Sequence, residues 1–231
     1  MDTKKSVVLL LMIFTASCVV AKKKEIITLK EGDPLILLQE KKTAVFEIDY
    51  SQMMVTDGKD HDNDLLFHEW MIAQDEDKDR WTEDWVKKDS MECYKAFRDK
   101  FNDEVEKGIK LTKIGKDYKV ILRFSMIYLG KHGNVVKGIL FGVRNLMDCG
   151  IASGELEVRD LHSDEVKLII TFNDLKGEEA YTQMTRFKGI FENLGEELND
   201  YLEDYQKQQN KQNKQNKQNK KKNWNLYTSE Q

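Results

Sequence analysis

Proline is nearly absent from this chain: Pro34 is the single one in 231 residues, alongside 13 glycines. That scarcity excludes a collagen-like body and argues against a disordered one. Histidine is scarce as well, with only His61, His68, His132 and His162. No G-x-S-x-G elbow is present for nucleophilic catalysis. The metalloprotease pattern H-E-x-x-H is missing too, since Glu69 is followed by Trp70-Met71-Ile72. Gly138-Ile139-Leu140-Phe141-Gly142 has glycine spacing without the Lys-Ser/Thr that a phosphate-binding loop requires. The three cysteines form no C-x-x-C pair. Long apolar runs are also lacking. Val7 to Ala21 gives fifteen residues, including Thr15, Ser17 and Cys18, short of the ~20 that a membrane-spanning helix needs.

What is present is charge, at 34% of residues against 40% apolar, and it is unevenly distributed. The total is −4; segment 1–21 carries +1 and segment 207–231 carries +6, leaving −11 on the body between them. An acidic body with a basic tail suggests an interaction tail, although charge of this kind also keeps a chain soluble. Lys4 and Lys5 precede an apolar stretch that ends in small residues, the layout of a secretory signal. Two cleavage sites compete. Thr15-Ala16-Ser17-Cys18 resembles a lipobox and offers Cys18 for acylation, but Thr15 stands where an aliphatic residue is usual. Val19-Val20-Ala21 has small residues placed for ordinary cleavage, and cleavage after Ala21 is favoured because Glu25 to Leu29 already reads as a strand. The predicted organisation is a signal peptide over 1–21, an α+β domain over 22–206 and a disordered basic Gln/Asn/Lys tail over 207–231. The expected location is periplasmic or secreted. A membrane anchor enters only if Cys18 is lipidated.

Cys93 and Cys149 remain in either case. An exported chain with two cysteines forms one disulfide or keeps two buried thiols, and the spacing favours neither. Within the body, Ile26–Leu29, Leu35–Leu38, Ala44–Ile48 and Met53–Val55 read as short strands. Ser90–Lys107 reads as a helix opened by an Asp89-x-x-Glu92 capping box, with Met91, Tyr94, Phe97, Phe101 and Val105 on one face and Gly108 as its stop. Tyr118 to Leu129 alternates as a strand, with Tyr118, Val120, Leu122, Phe124, Met126 and Tyr128 inward. Leu156–Val158 and Val166–Phe172 form a hairpin about the turn 160–164. Gly130 to Gly154 reads as a long exposed connection. Met184, Phe187, Phe191, Leu194, Leu198, Tyr201 and Tyr205 form a heptad-like stripe on a helix over about 178–205. This stripe packs on the chain's own sheet or, alternatively, in a coiled coil. The predicted fold class is α+β: an antiparallel sheet with helices packed on one face, in a single domain.

The stretch KKKEIITLKEGDPLILLQEKKTAVFEIDYS, with the later DYKVIL and GELEVRDLHSDEVKLIITFNDLKG, resembles uncharacterised exported proteins of Gram-negative gut bacteria. The likeness covers about residues 22–200. The layout is also faintly similar to small envelope lipoproteins whose single α+β domain assists surface assembly. The resemblance implies an envelope protein and carries over no catalytic residues.

Three local features suggest chemistry. The acidic segment 57–84 places Asp75, Asp77, Asp79 and Glu83 at positions 1, 3, 5 and 9 of a calcium loop. The diagnostic positions 6 and 12 hold Arg80 and Val86 instead of Gly and Glu. A frame starting at Asp60 fails in the same way, at Leu65 and Met71. His61 and His68 flank this segment and complete the candidate donors of a metal-dependent hydrolase. Trp70, Trp81 and Trp85 either stack on a sugar or peptide partner or fill the core; Trp81 and Trp85 are one helical turn apart. In the tail, Lys211, Lys214, Lys217, Lys220, Lys221 and Lys222 set a cation at nearly every third position, spacing that suits an anionic polymer. The functional expectation is a non-enzymatic envelope protein acting as a binding or assembly module, with no cofactor, an envelope protein or polysaccharide as partner and no nucleic acid. The alternatives are the metal-dependent hydrolase and polymer docking through the tail.

Overall fold

The computed structural model describes residues 25–56, 64–76, 81–105, 108–130, 148–180 and 182–229, with backbone alone at 75–76, 148 and 220–229. The chain opens with strand β1 (Ile27–Gly32), a 3-10 turn (Pro34–Leu38), β2 (Thr43–Asp49), β3 (Met54–Thr56) and β4 (Leu65–Leu66). Helices α1 (Phe67–Glu76), α2 (Trp81–Asp84) and α3 (Ser90–Glu104) follow, the last two joined by a π-helical stretch over Trp85–Asp89. Next come β5 (Lys110–Thr112), β6 (Tyr118–Tyr128), β7 (Asp148–Asp160), β8 (Val166–Ala180) and helix α4 (Gln183–Ser229).

Among the described residues the strands form one eight-stranded sheet ordered β1-β8-β7-β6-β2-β5, with β3 joining β6 and β4 joining β3. The long hairpin β7–β8 is antiparallel, as its alternation predicts, and its turn is held by Asp160 Oδ1 accepting from the amides of His162 and Ser163 at 2.9 Å each. The expectation of a purely antiparallel sheet is corrected: β2 pairs in parallel with both β5 and β6, and β3 pairs in parallel with β6. The physical reason is distance along the chain. A hairpin advertises itself in its turn residues, whereas a parallel pair needs a long crossover and leaves no local mark. Here the helices between β4 and β5 supply that crossover.

Four local expectations also change. Leu35–Leu38 is part of a 3-10 turn instead of a strand, because Asp33 caps it through Oδ1 to the Leu35 amide at 3.0 Å and Pro34 fixes its first residue. Asp89 is helical and caps nothing, since the π stretch runs straight into α3. The buried face of α3 is therefore Cys93, Ala96, Phe97 and Phe101, while Met91 is 41% exposed. β6 carries a bulge at Ser125, where Phe124 pairs with Gly154 and Met126 with Ser153. The extra residue reverses the alternation, so Ile127 and Leu129 are buried where Met126 and Tyr128 were expected. Finally, β7 starts at Asp148 and β8 runs to Ala180, so strand occupies part of the expected connection and the first residues of the expected helix.

The core lies between the sheet and α4. Phe187, Ile190, Phe191, Leu194, Leu198 and Leu202 are fully buried against inward residues such as Leu122, Val158, Leu168 and Ile170. The stripe is buried within the chain itself, against the sheet and against α3, where Gly195 lets the helix approach Lys100 and Phe101. Trp70, Trp81 and Trp85 belong to this core. Trp85 stacks on Phe187 at 5.5 Å and meets Phe67 edge-on at 4.9 Å, and Trp81 meets Trp70 edge-on at 4.7 Å. The opposite sheet face is polar and tied by ion pairs centred on Arg123, which reaches Glu157 at 2.8 Å, Glu155 at 3.5 Å and Asp49 at 3.5 Å.

Beyond Leu202, α4 continues without interruption to Ser229, where composition predicts a disordered tail. Lys and Gln are good helix formers, and the packed half of α4 provides the nucleus that an isolated helix lacks. From 206 to 219 its side chains are exposed apart from a half-buried Gln209.

Candidate functional site

The expected metal segment does not assemble into a site among the described residues. Glu83 is exposed in α2 and its carboxylate pairs with Lys87 one turn on. Only the backbone of Asp75 is described, at the end of α1; Asp77, Asp79 and His61 lie outside the described residues. His68 is exposed on α1, and the neighbouring Glu69 accepts from the Leu66 amide at 3.2 Å. No group of three or more His, Cys, Asp or Glu is arranged to hold a metal ion among the described residues. The glycine-spaced segment 138–142, Cys18 and the cleavage site after Ala21 also lie outside them.

Cys93 and Cys149 are both thiols, one buried in α3 and the other half-buried in β7. Burial, with Asp89 and Glu92 adding, pushes the Cys93 thiol far above its ordinary value and leaves it inert at neutral pH. Tyr50 is similar. Its ring packs against Phe67 and Trp85, its hydroxyl has no hydrogen-bond partner among the described residues, and burial pushes its phenol well up.

Two grooves flank α4. The first, about 530 Å³, runs between α3 and α4 and is lined by six carboxylates and three lysines, part of which are taken up in ion pairs. Lys100 reaches Glu104 at 2.9 Å and Glu196 at 3.7 Å, and Lys188 reaches Glu192 at 3.7 Å. The second, about 430 Å³, lies where β1 passes α4. Glu25, Ile27, Thr28 and Leu29 form one wall, and Tyr201, Asp204, Tyr205 and Gln208 form the other. The two tyrosine rings lie 6.2 Å apart, tilted by 32°. Burial, with Tyr205 and Glu25 adding, raises the Tyr201 phenol, so it remains a neutral donor.

This second groove is the feature that sequence reading misses. Tyr201 and Tyr205 continue the apolar stripe and read as core, yet both are only half-buried and face the groove. The signal is their chemistry: the fully buried positions of the stripe are Phe and Leu, and the change to Tyr marks where the core ends and water begins. The tail lysines are placed as follows. Lys211, Lys214 and Lys217 are exposed on α4; Lys220, Lys221 and Lys222 continue its backbone. No described helix is long and apolar enough to cross a membrane. No family model matches the chain, and neither does a curated protein or a solved structure.

Proposed function

We propose that this chain is an exported, non-enzymatic protein of the cell envelope that acts by contact, as a binding or assembly module. The observation that supports this reading most is the sheet edge β1, which among the described residues pairs on one side alone and lies beside a groove lined by tyrosines and carboxylates. Such a surface suits recognition, because it offers main-chain groups, rings and carboxylates side by side. Intact-mass spectrometry of the mature protein tests export. A polypeptide beginning at Lys22 is expected, an acyl mass on Cys18 places the protein on a membrane, and the unprocessed chain refutes export. Melting with chelator and with excess Ca²⁺ or Zn²⁺ tests the hydrolase alternative. An unchanged transition is expected, and a metal-dependent rise favours the acidic segment as a site.

Polymer docking through the tail has its own support in the exposed Lys211, Lys214 and Lys217, which stand on a helix clear of the core. A cation every third residue rotates by about −60° per step on an α-helix, so the lysines wind around the rod and form no single stripe. A flexible polyanion can follow such a path. Salt-sensitive binding that disappears on truncation after Gln206 is the expected result; equal binding by the truncated chain ends this reading.

A further inference from the structure

We propose that the groove between β1 and α4 takes an extended peptide as an added strand on β1, with apolar side chains on Tyr201, Tyr205 and Leu29 and basic ones toward Glu25 and Asp204. This rests on the contact function proposed above and names its partner class.

The argument starts from the backbone. β1 is a terminal strand of the sheet, and among the described residues it pairs only with β8. The Ile26 carbonyl accepts from the Asn173 amide on β8 at 2.9 Å. The two-residue alternation of an antiparallel pair therefore turns the N–H and C=O groups of Thr28 toward β8 and those of Ile27 and Leu29 outward. Outward groups on an edge strand form a template for strand addition.

The rest of the strand is blunted. The register with β8 shifts between Leu29 and Glu31, Lys30 stands at the shift, and Gly32 turns the chain with φ of 86°. Bulges and lysines are the usual protection of an exposed edge. Here that protection begins where the groove wall ends, since Leu29 is the last β1 residue lining it. The open part of the edge is thus the part that α4 overlooks. A strand beside a helix, with the cleft between them free, is the geometry in which main-chain hydrogen bonds supply affinity and alternate side chains supply specificity.

The lining sets the chemistry. Leu29 is 39% exposed, large for an inward position paired with the buried Ile170. With the two tyrosines it offers an apolar floor for alternate residues of the incoming strand. Among the described residues, Glu25 and Asp204 are the charged members of the lining, with no Lys or Arg beside them. Asp204 has Lys207 at 3.4 Å, an exposed pair that a bound cation displaces at little cost. An acidic wall with tyrosine rings favours Lys or Arg, and selects against an acidic strand.

The test uses the full chain, ¹⁵N-labelled, and a blocked Lys/Val heptapeptide whose positions 1, 3, 5 and 7, which share one face, are Lys, Val, Val and Lys, with Thr between them. The expected result is amide shifts at Ile27, Thr28, Leu29, Tyr201 and Tyr205, with at least tenfold weaker binding when the central peptide nitrogen is methylated. Leu29→Pro removes an outward donor without breaking the β8 ladder and should weaken binding comparably. Glu25→Lys with Asp204→Lys leaves the backbone edge untouched and should reverse the preference, favouring a Glu/Val heptapeptide. Shifts confined to another face overturn the groove assignment while leaving a contact function standing. Equal affinity of the N-methylated peptide overturns strand addition, and so does no binding by peptides of either charge. The contact function itself is judged separately, by the metal-melting and intact-mass experiments.

Discussion

Arg186 is the largest side chain in the fully buried core, with 0% exposure. It sits in the first turn of α4, where its Nε donates to the Ala180 carbonyl at 2.7 Å and its Nη1 donates to the Leu129 carbonyl. One guanidinium thus joins the ends of β8 and β6 to the helix that covers them. Arg186→Met keeps most of the volume and removes those donors. Replacing a buried charge with an apolar side chain is neutral only when its partners are replaced too. Here the partners are main-chain carbonyls, which no substitution removes. Each hydrogen bond from a charged donor contributes about 1.5–3 kcal/mol, and relief of the buried charge offsets part of the loss. A net loss of about 2–4 kcal/mol is expected. With a urea m-value of about 2 kcal/mol/M, the unfolding midpoint should fall by about 1–2 M, followed through the buried tryptophans. Arg186→Lys, which reaches one carbonyl at a time, should fall in between. An unchanged or raised midpoint for Arg186→Met would falsify the clamp.

Further expectations concern the fold and its pH dependence. Gly154→Ala would place a Cβ 2.1 Å from the Arg123 carbonyl oxygen and 2.7 Å from the Phe172 ring; a loss of about 3 kcal/mol or more is expected in the same urea assay. Tyr50→Phe removes a buried hydroxyl that has no partner among the described residues and should raise stability by about 1 kcal/mol, so a lower midpoint counts against this assignment. Burial opposes charge on Glu157, but hydrogen bonds from Arg159 and Arg123 prevail and hold its carboxyl below the usual range. A depressed carboxyl contributes stability that is complete above the ordinary Glu range and lost as pH falls through the folded value. Glu157→Gln should therefore flatten the acid arm of a stability–pH curve. From 206 to 219 the side chains of α4 are exposed apart from a half-buried Gln209, so circular dichroism at 222 nm should decline gradually on heating before the tryptophan transition, and truncation after Gln206 should remove that early phase.

The elements most legible in the sequence are those whose signal is local. The β7–β8 hairpin and strand β6 follow from alternation, and α3 and α4 follow from their apolar stripes. What the sequence conceals depends on partners distant in the chain. The parallel pairing of β2 with β5 and β6 has no local signature, and the bulge at Ser125 is dictated by how β6 meets β7 and β3. The calcium-loop pattern of the acidic segment is one of spacing alone, and its Glu83 pairs with Lys87 on the helix surface. The groove was hidden in a different way. Tyr201 and Tyr205 satisfy the helical stripe so well that periodicity alone assigns them to the core, and only the sheet order shows that the strand beside them is an edge. Arg186 carries no sequence signal at all, since a lone arginine in a helix reads as surface.

The central claim is that one sheet edge is open for contact, and amide hydrogen exchange tests it directly. In the free protein the amides of Ile27 and Leu29 should exchange rapidly while that of Thr28 is protected, and the Lys/Val heptapeptide should slow Ile27 and Leu29 selectively. Finding Ile27 and Leu29 already protected in the free protein would mean that the edge is covered, and would contradict the account.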